Sequence, residues 1–268
     1  MDINPEYITV NKELWNKRTA VHVSSDFYDV PGFLTGNTSL KEIELALLED
    51  INRQEILHLQ CHFGQDSLSL ARMGARVTGV DLSDTAISEA GKLARQLQLE
   101  NQTRFICCDL YSAPAHLNDT FDTVFTSYGT IGWLPDLDKW AAVVSHFLKP
   151  GGRFIMADFH PMLWMFDNDF TKITYDYFNT ETIIEETSGS YTDRSAPVSN
   201  KAYSWNHPLS EIVTALTAQG LQLQVFREHN YSPYNCFSNM TEKDGRFYIR
   251  GLEEKLPMVY AFKFFKPL

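Results

Sequence analysis

The sequence predicts an open, mostly parallel α/β sheet with helices on both faces. Three observations predict it. Between residues 55 and 160, short apolar runs of strand character alternate with helical stretches. The helical stretches place apolar residues at i, i+3, i+4 and i+7, and glycines follow two of them, Gly74 and Gly220. The chain has 268 residues, 44% hydrophobic and 21% charged, which is enough to bury a full core without disulfide or metal staples.

The elements follow in order. In residues 1–53, Trp15, Phe27, Tyr28 and Phe33 sit among polar residues and turn formers, while Leu40, Ile43 and Leu47 recur at helical spacing. A helix over 40–49 and a helical cap over 1–53 are expected. EILHLQ, residues 55–60, reads as the first strand and 64–73 as a helix stopped by Gly74. Residues 76–80 form the second strand. Ser83 and Asp84 can then cap a helix carrying Ile87, Ala90, Ala94 and Leu97. Residues 103–108 and 121–127 are the third and fourth strands. An amphipathic helix spans 136–148, with Trp140, Val143, Val144 and Phe147 on one face. Pro150-Gly151-Gly152 forces a turn before a fifth strand over 152–159. Residues 161–206 break the alternation. TIIEETSGSYT and NKAYSW read as a polar β-hairpin inserted above the sheet. A helix over 207–219 follows, then two late strands, 221–227 and 258–265. No helix separates these strands, so they should pair antiparallel. One domain over 1–268 is expected.

Charge and cysteine usage narrow the function. A formal net charge of −11 and a pI near 5.1 repel a phosphate backbone, which argues against nucleic acid as a partner. Cys61, Cys107, Cys108 and Cys236 have no CxxC spacing, which fits reduced thiols and a cytoplasmic location. MDINPEYITV lacks the apolar core of a signal peptide, and no apolar run reaches the length of a membrane span. His58, His62 and His160 have no carboxylate at metal-ligand spacing, so no metal is expected.

In such a sheet, ligands bind outside the carboxyl ends of the strands. Four features fall there. Gly64 follows the first strand and opens a helix, where a glycine allows either close approach to a ligand or simply a tight turn. Asp81 ends the second strand and can accept from ribose hydroxyls, or serve as a helix cap with Ser83. Asp109 follows the third strand and could accept from an adenine amine, or stand in water. Ser127-Tyr128-Gly129 follows the fourth.

Through ILHLQCHFGQDSLSLARMGARVTGVDLS, CDLYSAP, FDTVFTSYGTIGWL and LKPGGRF, residues 55–160 resemble class I S-adenosylmethionine-dependent methyltransferases. The resemblance implies a seven-stranded sheet of order 3-2-1-4-5-7-6 with strand seven antiparallel. It implies that the Gly64 loop, with Gln60 and His62, holds the methionine part of S-adenosylmethionine. Asp81 with Leu82 would hold the ribose, Asp109 with Leu110 the adenine, and Ser127 and Tyr128 would line the same crevice. One departure stands out. The family's first motif starts with an acidic residue and then places glycine at every second position, whereas here the positions are His58, Gln60, His62 and Gly64.

Trp15, Tyr28, Trp133 and Trp205 are the candidate acceptor wall, and ordinary core packing is the alternative for each. His160, ending the fifth strand in ADFHP, could act as a general base or brace the following loop. A small-molecule methyl acceptor is expected. A cofactor-binding regulator without transfer activity remains open. A dinucleotide-dependent oxidoreductase is disfavoured by the lack of GxGxxG after the first strand.

Overall fold

The computed structural model describes residues 3–268. Three helices precede the first strand. Helix α1 (Pro5–Val23) starts where Asn4 Oδ1 accepts from the Glu6 N–H at 3.0 Å, with Pro5 in the first turn. Sequence periodicity does not reveal α1, because three of its four buried residues are polar: Asn11, Thr19 and His22 beside Leu14. The helix docks through hydrogen bonds rather than an apolar stripe. Short helices α2 (Val30–Leu34) and α3 (Glu42–Leu48) follow, the latter inside the expected 40–49 stretch.

The sheet elements then alternate: β1 (Glu55–Leu59), α4 (Gln65–Arg72), β2 (Arg76–Asp81), α5 (Asp84–Gln96) and β3 (Thr103–Cys107). The short α6 (Ala113–His116), β4 (Phe121–Ser127), α7 (Leu137–Phe147) and β5 (Leu148–Phe159) complete this half. The inserted hairpin is β6 (Ile183–Ser188) paired antiparallel with β7 (Ser199–Ser204). Helix α8 (Leu209–Ala218), β8 (Gln222–His229), β9 (Met240–Lys243), β10 (Arg246–Ile249) and β11 (Val259–Phe265) end the chain.

The seven-stranded sheet has the order β3-β2-β1-β4-β5-β11-β8, the predicted 3-2-1-4-5-7-6, with β11 antiparallel to both neighbours. Strand alternation sorts its side chains into two cores. Ile56, Val77, Phe125, Ile155 and Val259 pack on one face with residues of α3, α4 and α5. Leu57, Val80, Val124, Phe154 and Phe262 pack on the other with residues of α6, α7 and α8.

Two expectations need correction. Pro150-Gly151-Gly152 is not a turn ahead of the strand. It is a bulge within β5: Phe121 pairs with Leu148 and Thr123 with Arg153, so five steps on one strand oppose two on the other. The loop between the last two sheet strands also carries an unforeseen hairpin, β9–β10. Its signal was Asp244-Gly245, both at positive φ (54° and 74°), a dipeptide that favours tight hairpin turns. Among the described residues, no helix is long and apolar enough to cross a membrane.

Glu44 of α3 is fully buried beneath the sheet's carboxyl end. Its Oε1 accepts from the Lys41 N–H at 2.5 Å, and its Oε2 accepts from the Tyr128 hydroxyl at 2.7 Å. Desolvation, with repulsion from Asp66, pushes its pKa up to about 8. A carboxyl group raised in the folded state binds its proton more tightly there than in the unfolded chain. Its contribution is therefore complete below the ordinary value of 4.5 and is lost as pH rises through about 8. Glu44→Gln should remove this slope: its stability, measured by urea midpoints, should fall less than wild type's between pH 6.5 and 8.5. Parallel curves for the two proteins would exclude a protonated Glu44.

Candidate functional site

The loop after β1 supplies the first wall. Gln60, His62 and Gly64 all lie in the left-handed region, with φ of 55°, 50° and 80°. The alternating backbone that glycines would adopt freely is thus kept by two non-glycine residues, at a cost of about 1 kcal/mol each. Gly64 itself answers to packing. A Cβ there would lie 2.9 Å from Ala90 Cβ and from the Phe105 ring, so the glycine lets α4 close onto α5 and β3.

Asp81 holds this loop to β2. Its Oδ2 accepts from the His62 N–H at 2.7 Å and its Oδ1 from the Ser83 N–H at 2.8 Å. Burial raises its pKa to about 6 against the pull of these backbone bonds. Gln60 Nε2 donates to the Thr130 carbonyl at 2.9 Å, while its buried Oε1 has no hydrogen-bond partner among the described residues. Asp109 Oδ1 accepts from the Ser112 N–H at 3.0 Å, capping the turn that carries Leu110. Leu82 and Leu110 border the same cavity.

The loop after β4 is built on a residue the sequence reading passed over. Asp158, 1% exposed, accepts from the backbone N–H groups of Gly129, Thr130 (3.0 Å), Ile131 (3.2 Å) and Phe159 (2.7 Å), and from the Thr130 hydroxyl (2.9 Å). Its signal was a lone carboxylate in the apolar run FIMADF. His160, two residues on, faces elsewhere. Its Nδ1 accepts from the Met162 N–H at 3.1 Å and its Nε2 meets Glu228 Oε1 at 3.0 Å. It does not border the cavity. The general-base expectation for His160 is therefore withdrawn, and the bracing role is what the contacts support. Ser127 donates to Asp66 Oδ2 at 2.8 Å, and Tyr128, with φ of 37°, turns its hydroxyl to Glu44.

The cap closes over these loops. The His62 imidazole turns into it: Nε2 meets His22 Nδ1 at 2.8 Å, and His22 Nε2 meets Ser190 Oγ at 2.6 Å. Burial, reinforced by the charge of Arg18, lowers both imidazoles, to about 2 for His22 and about 3 for His62, so both are neutral. Tyr28 and Tyr191 hydroxyls meet at 2.5 Å. Trp15 packs edge-on against His62 (5.4 Å between centroids) and Trp133 (5.3 Å). The Trp205 N–H donates to the Gly132 carbonyl at 2.8 Å, tying the insert to the β4 loop. All four proposed wall residues, Trp15, Tyr28, Trp133 and Trp205, border one cavity of about 1210 Å³. Typical single-ligand pockets are smaller, so this one has room for two molecules.

The site suits a nucleoside cofactor with an amino-acid tail. The buried Gln60 Oε1 accepts no hydrogen bond among the described residues, and Gln60, Asp81 and Asp109 border the same cavity. Comparing His62→Ala with His62→Gly isolates the loop strain. Both remove the imidazole, but only glycine relaxes the left-handed backbone. The glycine protein should be about 1 kcal/mol more stable than the alanine protein by denaturant titration. Equal stability would mean that the loop is not strained there.

Comparisons with known proteins agree with this geometry. A methyltransferase-domain family model matches residues 56–152. A sterol 4-C-methyltransferase of Caenorhabditis elegans is 24% identical over 197 residues, 71% of this chain, and the match spans only 57% of that relative's length. An uncharacterized methyltransferase of Synechocystis is 31% identical over 165 residues, 60% of this chain and 74% of that protein. The geranyl diphosphate C-methyltransferase of Streptomyces coelicolor, solved with Mg2+, geranyl diphosphate and S-adenosyl-L-homocysteine, shares the fold. Its TM-score is 0.58 at 16% identity, over 97% of both chains. With the strand order and the family match in agreement, the chain belongs to the class I S-adenosylmethionine-dependent methyltransferases.

Proposed function

We propose that this protein transfers a methyl group from S-adenosylmethionine to a small organic acceptor, in the cytoplasm. The observation that carries the reading is Asp81. It stands half-buried at the carboxyl end of β2, borders the cavity, and spends one lone pair per oxygen on loop N–H groups. The remaining lone pairs suit a pair of ribose hydroxyls. Asp109 and Leu110 would meet the adenine, and Gln60, His62 and Gly64 the methionine part, with His62 contributing backbone rather than imidazole.

The cofactor supplies a methyl group already activated on a sulfonium centre. The chain's own work is then orientation and exclusion of water. The β1 and β4 loops fix the donor side, each anchored by a carboxylate, Asp81 and Asp158. The cap supplies the acceptor wall of Trp15, Tyr28, Trp133 and Trp205, and it covers the cavity. No residue is assigned as a base, since His160 lies outside. The acidity of the chain and the relatives named for sterols and geranyl diphosphate support a small molecule over nucleic acid.

Titration calorimetry with S-adenosylmethionine and with NAD, followed by a labelled-methyl transfer screen, tests the reading. Tight S-adenosylmethionine binding without transfer to any acceptor would favour a cofactor-binding regulator. Preference for NAD would favour an oxidoreductase. Asp81→Ala should cost roughly 2–4 kcal/mol of S-adenosylhomocysteine affinity, because charge-assisted bonds are lost and the loop is released. Asp109→Ala should cost less, roughly 1–2 kcal/mol, because the adenine stays sandwiched by apolar groups. The reverse order, measured on folded proteins by calorimetry, would exchange or remove these assignments.

A further inference from the structure

We infer that the acceptor is an uncharged molecule with a ring-bearing hydrocarbon body, and that this body lies in a second aromatic chamber of the cavity, walled by Tyr128, Phe159, Trp164, Phe170, Tyr234 and Phe237. This rests on the methyltransferase reading and names its substrate class.

The chamber is assembled from segments far apart in the chain. Tyr128 belongs to the β4 loop and Phe159 ends β5. Trp164 and Phe170 stand in the insert ahead of β6, and Tyr234 and Phe237 in the loop between β8 and β9. All six border the cavity that the cofactor loops border. Their rings form one connected set. Tyr128 meets Tyr234 at 5.0 Å between centroids and Phe159 at 5.6 Å. Phe237 meets Phe159 at 5.1 Å, and Trp164 and Phe170 at 5.6 Å each. The set joins the first aromatic wall through Phe27, which stacks on Tyr234 at 5.6 Å and packs on Tyr28 at 5.1 Å.

Of the six, Phe159 alone is buried, and Trp164 is 38% exposed. Ring surface left open inside a cavity is where an apolar ligand gains most by leaving water. The cofactor loops occupy the polar part of the cavity, with Gln60, Asp81 and Asp109, so the aromatic part falls to the second molecule. The chamber walls carry no formal charge. Burial, with the fields of neighbouring carboxylates, pushes the Tyr128 and Tyr234 hydroxyls up, and burial pushes the adjoining Cys236 thiol up to about 12, so all three keep their protons. The ionic groups that reach these rings have both signs. Lys41 Nζ lies 4.8 Å from the Tyr234 centroid, and the Asp66 carboxylate acts on Tyr128 and Tyr234. An ionic body would give up its hydration against neutral rings, whereas a hydrocarbon body has little hydration to lose. Rings in the ligand add stacking and edge contacts with these walls.

The test uses the full chain saturated with S-adenosylhomocysteine. Calorimetry at neutral pH compares 2-naphthalenemethanol with its cationic analogue 2-naphthylmethylamine, its anionic analogue 2-naphthoate, and the smaller benzyl alcohol. The naphthyl alcohol should bind at least about tenfold more tightly than any of the other three. Phe237→Ala and Trp164→Ala should each weaken it at least about fivefold and leave S-adenosylhomocysteine affinity within about twofold. Phe237→Leu, which keeps apolar volume, should restore most of the loss. Trp164 is the more exposed of the two, so Trp164→Ala decides the matter should Phe237→Ala unfold. An ion that binds as tightly as the naphthyl alcohol, or a naphthyl alcohol that does not bind, overturns the inference. So does an affinity that survives Trp164→Ala and Phe237→Ala, since the molecule would then lie against the first wall alone. Loss of S-adenosylhomocysteine affinity in folded Trp164→Ala would give the chamber to the cofactor and overturn the inference as well. Failure of wild type to bind S-adenosylhomocysteine would instead overturn the methyltransferase reading.

Discussion

The carboxylate of Asp81 is the contact on which the rest of the site depends. It draws the His62 N–H from the β1 loop and the Ser83 N–H from its own side, at 2.7 and 2.8 Å. Burial alone would neutralise it. The backbone donors favour the ionised form, and the balance leaves its pKa near 6. Because it bonds the loop at His62, it holds in the left-handed region a residue that would otherwise leave it. The path of the loop, and hence the shape of the donor side, follows from that restraint.

Asp158 repeats the device one strand away, with a different outcome. Five donors from residues 129, 130, 131 and 159 surround it, so no lone pair is left for a ligand. Asp81 accepts two loop N–H groups and borders the cavity, whereas Asp158 is spent entirely on the loop it builds. Both stand at carboxyl ends of strands, where the sheet stops supplying hydrogen bonds and loop N–H groups need partners.

The cap is held by the same kind of force. Asn11 of α1 exchanges two hydrogen bonds with the Tyr203 backbone of β7, at 2.8 and 3.0 Å. Asn16 accepts from the Ser83 hydroxyl at 2.6 Å and donates to Asp84, at the head of α5. His22 bridges His62 and Ser190. Buried polar contacts are costly unless every partner is met, so they specify one position for the helix where an apolar stripe would tolerate sliding. Cofactor loop, cap helix and insert are thereby joined in one hydrogen-bonded layer above the sheet.

The sequence by itself determined the sheet. Its strands and the helices α4, α5, α7 and α8 are written in local apolar periodicity, and the burial of two faces needs nothing more. It also marked Asp81 and Asp109, because residues at strand ends stay near the carboxyl edge whatever the loops do. Tertiary structure alone decided the rest. Helix α1 has no stripe to read, since its partners are polar groups that lie 40 to 192 positions away in the chain. At Gly64 the sequence leaves open a ligand contact or a tight turn, and only the fold shows Ala90 and Phe105 packed against it. His160 and Asp158 sit two residues apart on one strand, and only the third dimension sends one to Glu228 and the other to the β4 loop. Hydrogen bonds between distant segments leave no period in a sequence, whereas burial on a repeating backbone does.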